Sequence, residues 1–176
     1  MFKEIVTKAV IGKGKKTFRN SYELITLDKI DAVLGCWVIN HKMNGTFKND
    51  NVVINGSFDV NIWYSYENNT KTAVEARTVE YTEEVHVNLK ENTNLSTDSE
   101  ILLNALKSPT VVDVNSIDNK ISYEIEKEIG IEIIGDAKVK IQVINDEDDY
   151  ESLNEEVSDN ELDSLIDKEI DTNYLR

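Results

Sequence analysis

One cysteine, one proline and seven glycines occur in 176 residues. A lone thiol, Cys36, excludes an internal disulfide framework and fits a reducing compartment. With Pro109 as the single proline, almost nothing interrupts long extended segments. No apolar run is longer than Ala32 to Ile39, far short of the ~20 residues a membrane helix needs. The opening residues, with Glu4 arriving before any apolar run, do not read as a secretory signal. The expectation is a soluble chain made in the cytosol. Positive charge is scarce: 19 Lys and Arg stand against 34 Asp and Glu, a formal net charge of −15. That excess repels nucleic-acid phosphates and anionic lipid, so neither nucleic acid nor membrane insertion is expected.

The acidity is not spread evenly. Residues 145–176 carry 13 acids against Lys168 and Arg176, whereas the first 144 residues hold 21 acids and 17 bases. The chain therefore reads as a nearly balanced body, 1–144, and an acidic, largely disordered tail, 145–176. Within the tail, Ser158-Asp159-Asn160-Glu161 has the pattern of a capping box. Leu162, Leu165, Ile166 and Ile170 follow at helical spacing. A helix that short is unstable alone in water, so it is expected to fold on contact with a partner.

The body reads as β. From Ile54 to Tyr66, Ile54, Phe58, Val60, Ile62, Tyr64 and Tyr66 share one face, and only Trp63 breaks the polar sequence of the other. Glu67-Asn68-Asn69-Thr70 predicts a turn, with a return strand over 71–89. Val111–Ile117 and Lys120–Ile129 predict a hairpin through Asp118-Asn119, and further strands are expected at 3–11 and 33–39. Ile121 to Ile133 alternates with glutamates. Gly135-Asp136 then predicts a two-residue turn that would lay Lys138 and Lys140 opposite those glutamates. A short helix is expected over Ser99–Lys107, ahead of Pro109. The predicted fold is all-β, an antiparallel sandwich or open barrel of about eight strands with one short helix.

Motifs for chemistry are few. His41, His86 and Cys36 are the candidates for catalysis, but no HExxH, CxxC or GxSxG spacing surrounds them, and solvated or structural roles are expected. Neither a catalytic centre nor a metal or cofactor is predicted. Asp146-Glu147-Asp148-Asp149 lacks the order and the glycine of a calcium loop. Gly12-Lys13-Gly14-Lys15-Lys16-Thr17 misses P-loop spacing and reads as a solvated basic loop. Lys13, Lys15 and Lys16 are the natural counter-charge to the acidic tail, and with Trp63 they form a candidate assembly surface. An alternative is a sugar-binding face built from Trp37, Trp63 and Tyr66.

Several stretches carry a family resemblance: KEIVTKAVIGKGKK, LGCWVINHK, GSFDVNIWYSYENNTKTAV, IGDAKVKIQV and the acidic end, in that order. Together they resemble the CotE family of endospore coat proteins. The resemblance implies a structural, non-enzymatic protein made in the mother-cell cytoplasm that ends in the spore coat. It implies self-association into homo-oligomers around the forespore, placement by a basement-layer coat protein and recruitment of outer-coat proteins through the acidic segment. Leu162, Leu165, Ile166 and Ile170 would then be the partner-binding anchors. A coat-modifying enzyme or a carbohydrate-binding module is the alternative.

Overall fold

The computed structural model describes residues 2–143. By its contacts the chain divides into two units, Glu4–Ile141 and Met1–Lys3 with Gln142–Arg176. The described residues form six strands: β1 (Phe2–Ile25), β2 (Ile30–Lys48), β3 (Asn51–Tyr66), β4 (Lys71–His86), β5 (Glu100–Ile117) and β6 (Lys120–Gln142). They form two three-stranded sheets, ordered β1-β6-β5 and β2-β3-β4.

Alternation decides what each sheet buries. The inward face of β3 carries Val52, Ile54, Phe58, Val60, Ile62 and Tyr64. The inward face of β6 carries Ile121, Tyr123, Ile125, Ile129, Ile131 and Ile133. Tyr22 of β1 joins the two, edge-on to Phe58 at 6.0 Å and stacked on Tyr123 at 5.6 Å. At one margin β2 meets β5 closely, since a Cβ on Gly45 would lie 2.8 Å from Ile101 Cγ2. At the other margin Leu89 bridges Gly12, and the Lys90 amide donates to the Ile11 carbonyl at 2.7 Å.

The turns use asparagine and aspartate in place of glycine. No glycine has positive φ, whereas Asn49, Glu67, Asn68, Asn69 and Asp118 do. Short polar side chains tolerate the left-handed region best. The turn at 67–70 and the hairpin through Asp118-Asn119 lie where the sequence places them.

Four expectations are corrected. The described residues form six long strands rather than about eight. Ser99–Lys107 forms no helix, because Glu100–Lys107 pairs with Glu128–Ile134 of β6. A short apolar run such as Ile101-Leu102-Leu103 suits either state, and the backbone edge that β6 offers selects the strand. Pro109 is tolerated inside β5 because β5 is an edge strand and the register shifts between Lys107 and Thr110. Gly135-Asp136 makes no turn, and β6 runs straight through it. The glycine is needed for close packing, since a Cβ there would sit 2.5 Å from Ile11 Cδ1.

The fourth correction concerns charge. Residues 12–17 are not a loop but part of β1. Lys13 pairs with Glu132 at 2.7 Å, Lys15 with Glu128 at 3.1 Å and Arg19 with Glu124 at 2.5 Å. Partner numbers fall along β6 as they rise along β1, so the two strands are antiparallel. The glutamates of β6 are therefore faced by β1, with Lys107 of β5 on Glu126, and not by Lys138 and Lys140. The exposed pairs contribute only about 0–1 kcal/mol each. The predicted tail helix and the Asp146–Asp149 run lie outside the described residues.

Candidate functional site

The outer face of β2-β3-β4 can be laid out row by row from its register. One row is Gly35, Trp63 and Val74; the next is Trp37, Asn61 and Ala76; the third is Ile39, Asp59 and Thr78. Further rows are polar: Lys42, Ser57 and Glu80, then Asn44, Asn55 and Thr82. The apolar side chains are thus gathered at one end of the face. Trp37 and Trp63 are 43% and 42% exposed, and Ile39 and Val74 are more so. Gly35 leaves the two indoles side by side: a Cβ on it would lie 3.5 Å from Trp37 Cζ3 and 3.9 Å from Trp63 Cε3. Trp63 is on the outward face, as its place in the alternation says. Tyr66 is on the opposite face, its ring 6.1 Å from that of buried Tyr64. The three-ring platform required for the sugar-binding alternative is therefore absent.

Of the basic residues grouped with Trp63, Lys13 and Lys15 are engaged by β6 glutamates, and Lys16 lies over the Phe18 ring at 5.2 Å. The structure does not bring these lysines to the tryptophans. Leu162, Leu165, Ile166 and Ile170 lie outside the described residues.

His41, His86 and Cys36 are not brought together. Register places Cys36 opposite Ile62 and His86 opposite Asn51, toward opposite ends of β3. His86 Nδ1 is 3.1 Å from Asn51 Oδ1 on the exposed face. Cys36 is half-buried, and burial pushes its thiol up to about 11. A group whose folded pKa is raised keeps its proton where the unfolded chain loses it, so its contribution to stability declines as pH rises above 9. Such a thiol is a poor nucleophile. Alkylation of Cys36 in the native chain at pH 8 is expected to be more than ~10-fold slower than after unfolding in denaturant. Equal labelling rates would show the thiol to be open.

His41 reaches the interior through a bulge. The β2 register shifts between Ile39 and Lys42, with Asn40 at φ 56°, and Asn40 Nδ2 donates to Asp59 Oδ2 at 2.8 Å. The extra residue turns His41 inward, where Nε2 shares a 2.6 Å hydrogen bond with the Tyr81 hydroxyl. Burial, and then the charge of Lys127, lowers the His41 pKa. Burial, and then Glu83, pushes Tyr81 up to about 12.

Lys127, which no sequence motif marks, joins this pair. It occupies the inward position between Ile125 and Ile129, and its side chain is 0% exposed. Its Nζ donates to Asn20 Oδ1 at 2.9 Å and Glu83 Oε1 at 3.0 Å. It also lies 4.1 Å from the Tyr81 ring centroid. Asn20, Glu83, Tyr81 and His41 thus form one polar network with it inside the sandwich. Every group in it holds a partner, which is what the burial of a charge demands.

The family model for outer spore coat protein E (CotE) matches residues 1–175. The chain belongs to the CotE family. Membership of the CotE family makes it a spore-coat protein, from a family of structural coat proteins rather than of enzymes. No curated protein and no solved structure matches the chain.

Proposed function

We propose that this CotE-family protein is a morphogenetic scaffold of the outer coat, which associates with copies of itself around the forespore and recruits other coat proteins. The observation that carries the reading is the apolar end of the β2-β3-β4 outer face. Two neighbouring tryptophans with Ile39 and Val74 sit on a rigid sheet, and exposed aromatic clusters of this kind are enriched where proteins meet. Lys13, Lys15 and Lys16 take no part in that surface. The acidic segment 145–176 serves recruitment, with Leu162, Leu165, Ile166 and Ile170 as anchors in a client groove. A basement-layer coat protein places the scaffold, which is made in the mother-cell cytoplasm before joining the coat.

The two roles separate experimentally. Light scattering of the full-length protein is expected to show oligomers, and Trp37→Ser with Trp63→Ser is expected to lower their mass at equal concentration. Ile166→Asp is expected to leave oligomer mass unchanged and to lose capture of outer-coat proteins from sporulating-cell extract. A wild-type chain that is monomeric at every concentration would refute the scaffold. Undiminished capture by Ile166→Asp would refute the anchor assignment.

A further inference from the structure

The edge of β1 over residues 4–10 has no neighbouring strand on the side away from β6 among the described residues. β1 is an edge strand of its sheet. The last contact on its outer side is the Gly12–Leu89 bridge with the Lys90 amide on the Ile11 carbonyl. Thereafter the chain turns away, with the Thr93 amide donating to the Lys90 carbonyl. The open segment Glu4-Ile5-Val6-Thr7-Lys8-Ala9-Val10 has no proline and no glycine. Edge strands are blunted by proline, bulges and charged side chains; here only Glu4 and Lys8 serve that end, and an open edge is a template for another strand. β5, the opposite edge of the same sheet, carries Pro109 and lies against β2.

We infer that β1 pairs antiparallel with β1 of a second copy about a twofold axis at Val6. The inference rests on the scaffold reading and names a contact for it. Two features of the strand select that register. First, the Ile11 carbonyl faces the open side, and backbone groups of alternate residues point the same way, so Ala9, Thr7 and Ile5 present N–H and C=O outward. Twofold pairing must therefore match odd residues with odd residues. Centring on Val6 then pairs Ile5 with Thr7 of the second copy as hydrogen-bonded pairs and leaves Val6 facing its own mate. Second, this centre sets Glu4 opposite Lys8 twice, once on each side of the axis, and such opposite-charge pairs favour pairing. Centring on Ile5 sets Glu4 opposite Val6 instead, and centring on Thr7 sets it opposite Val10. Lys8 is half-exposed, and its Nζ, 3.0 Å from Asp136 Oδ1 and donating to the Asp98 carbonyl at 3.2 Å, must exchange those partners to meet Glu4 of the second copy.

An isologous pair of this kind closes on itself. The tryptophan-bearing face is on the other sheet, so it stays available for a different contact. Two unlike contacts on one subunit allow assembly to continue beyond a dimer, which a coat layer requires.

The register is testable by position-specific crosslinking of the full-length chain with Cys36→Ala. Val6 pairs with its mate at a non-hydrogen-bonded site, where Cα atoms lie ~4.5 Å apart. That is within disulfide reach. Under mild oxidation Val6→Cys is expected to become mostly disulfide-linked dimer. Glu4→Cys alone should stay monomeric on a non-reducing gel, because four residues of offset separate the two thiols by ~13 Å. The double variant Glu4→Cys with Lys8→Cys should crosslink again. If Val6→Cys crosslinks no faster than Glu4→Cys while light scattering still shows oligomers, this contact is wrong and the scaffold reading stands. If the wild-type chain is strictly monomeric, both are overturned.

Discussion

Replacing Lys127 by Ala is expected to cost about 3–5 kcal/mol of stability, the usual penalty for removing one partner of a buried ion pair. The ammonium lies between Asn20 and Glu83 with no exposure to solvent, and the Glu83 side chain is 16% exposed. Without Lys127, the Glu83 carboxylate loses its cationic partner and Asn20 loses its donor. The Tyr81 face also loses the cation above it. Urea unfolding should show the loss as a lower midpoint at unchanged slope. The double variant Lys127→Met with Glu83→Met should be more stable than Lys127→Ala, because removing both charges also removes both desolvation penalties. A loss under about 1 kcal/mol for Lys127→Ala would mean that water already reaches the pair, as it does at exposed ion pairs.

Gly56→Ala is the second large effect, expected at about 1–3 kcal/mol for overpacking a filled interior. A Cβ at that position would lie 2.3 Å from Tyr81 Cζ and 2.4 Å from its hydroxyl oxygen. The tip of a side chain can usually move aside, but this ring is held. His41 bonds its hydroxyl, Lys127 lies over its face, and Phe58 stands 6.0 Å away. Thermal unfolding should place Gly56→Ala well below wild type and Gly14→Ala close to it, since nothing lies within 4 Å of a Cβ on Gly14. In a Tyr81→Leu background the cost of Gly56→Ala should largely vanish. A cost that persists there would assign it to the backbone and not to the ring.

Much of this architecture was legible in the order of residues. Alternation from Ile54 to Tyr66 identified a half-buried strand and set Trp63 apart from its buried neighbours. Asparagine-rich turns located two hairpins. Lys127 was legible too, as the single charged residue on the inward parity of an isoleucine stripe, and counting parity across Ile125 and Ile129 would have found it. Other features were not. Ile101-Leu102-Leu103 suits a helix or a strand equally, and only the waiting edge of β6 decides. Gly135-Asp136 has the composition of a turn, while its real constraint is the Ile11 side chain from a distant strand. The inward turn of His41 depends on a bulge that alternation over 33–39 does not foretell.

What the sequence alone determined is which side each residue of a strand faces and where hairpins reverse, because pleating and turn geometry act over two to four residues. Only the tertiary structure decided which strands lie side by side and how far each extends. Lys127 meets Asn20 from 107 positions away, and β1 lines its lysines along the glutamates of β6. Such pairings are settled by packing between segments remote in the chain, where many registers satisfy the local pattern and one satisfies the buried charge.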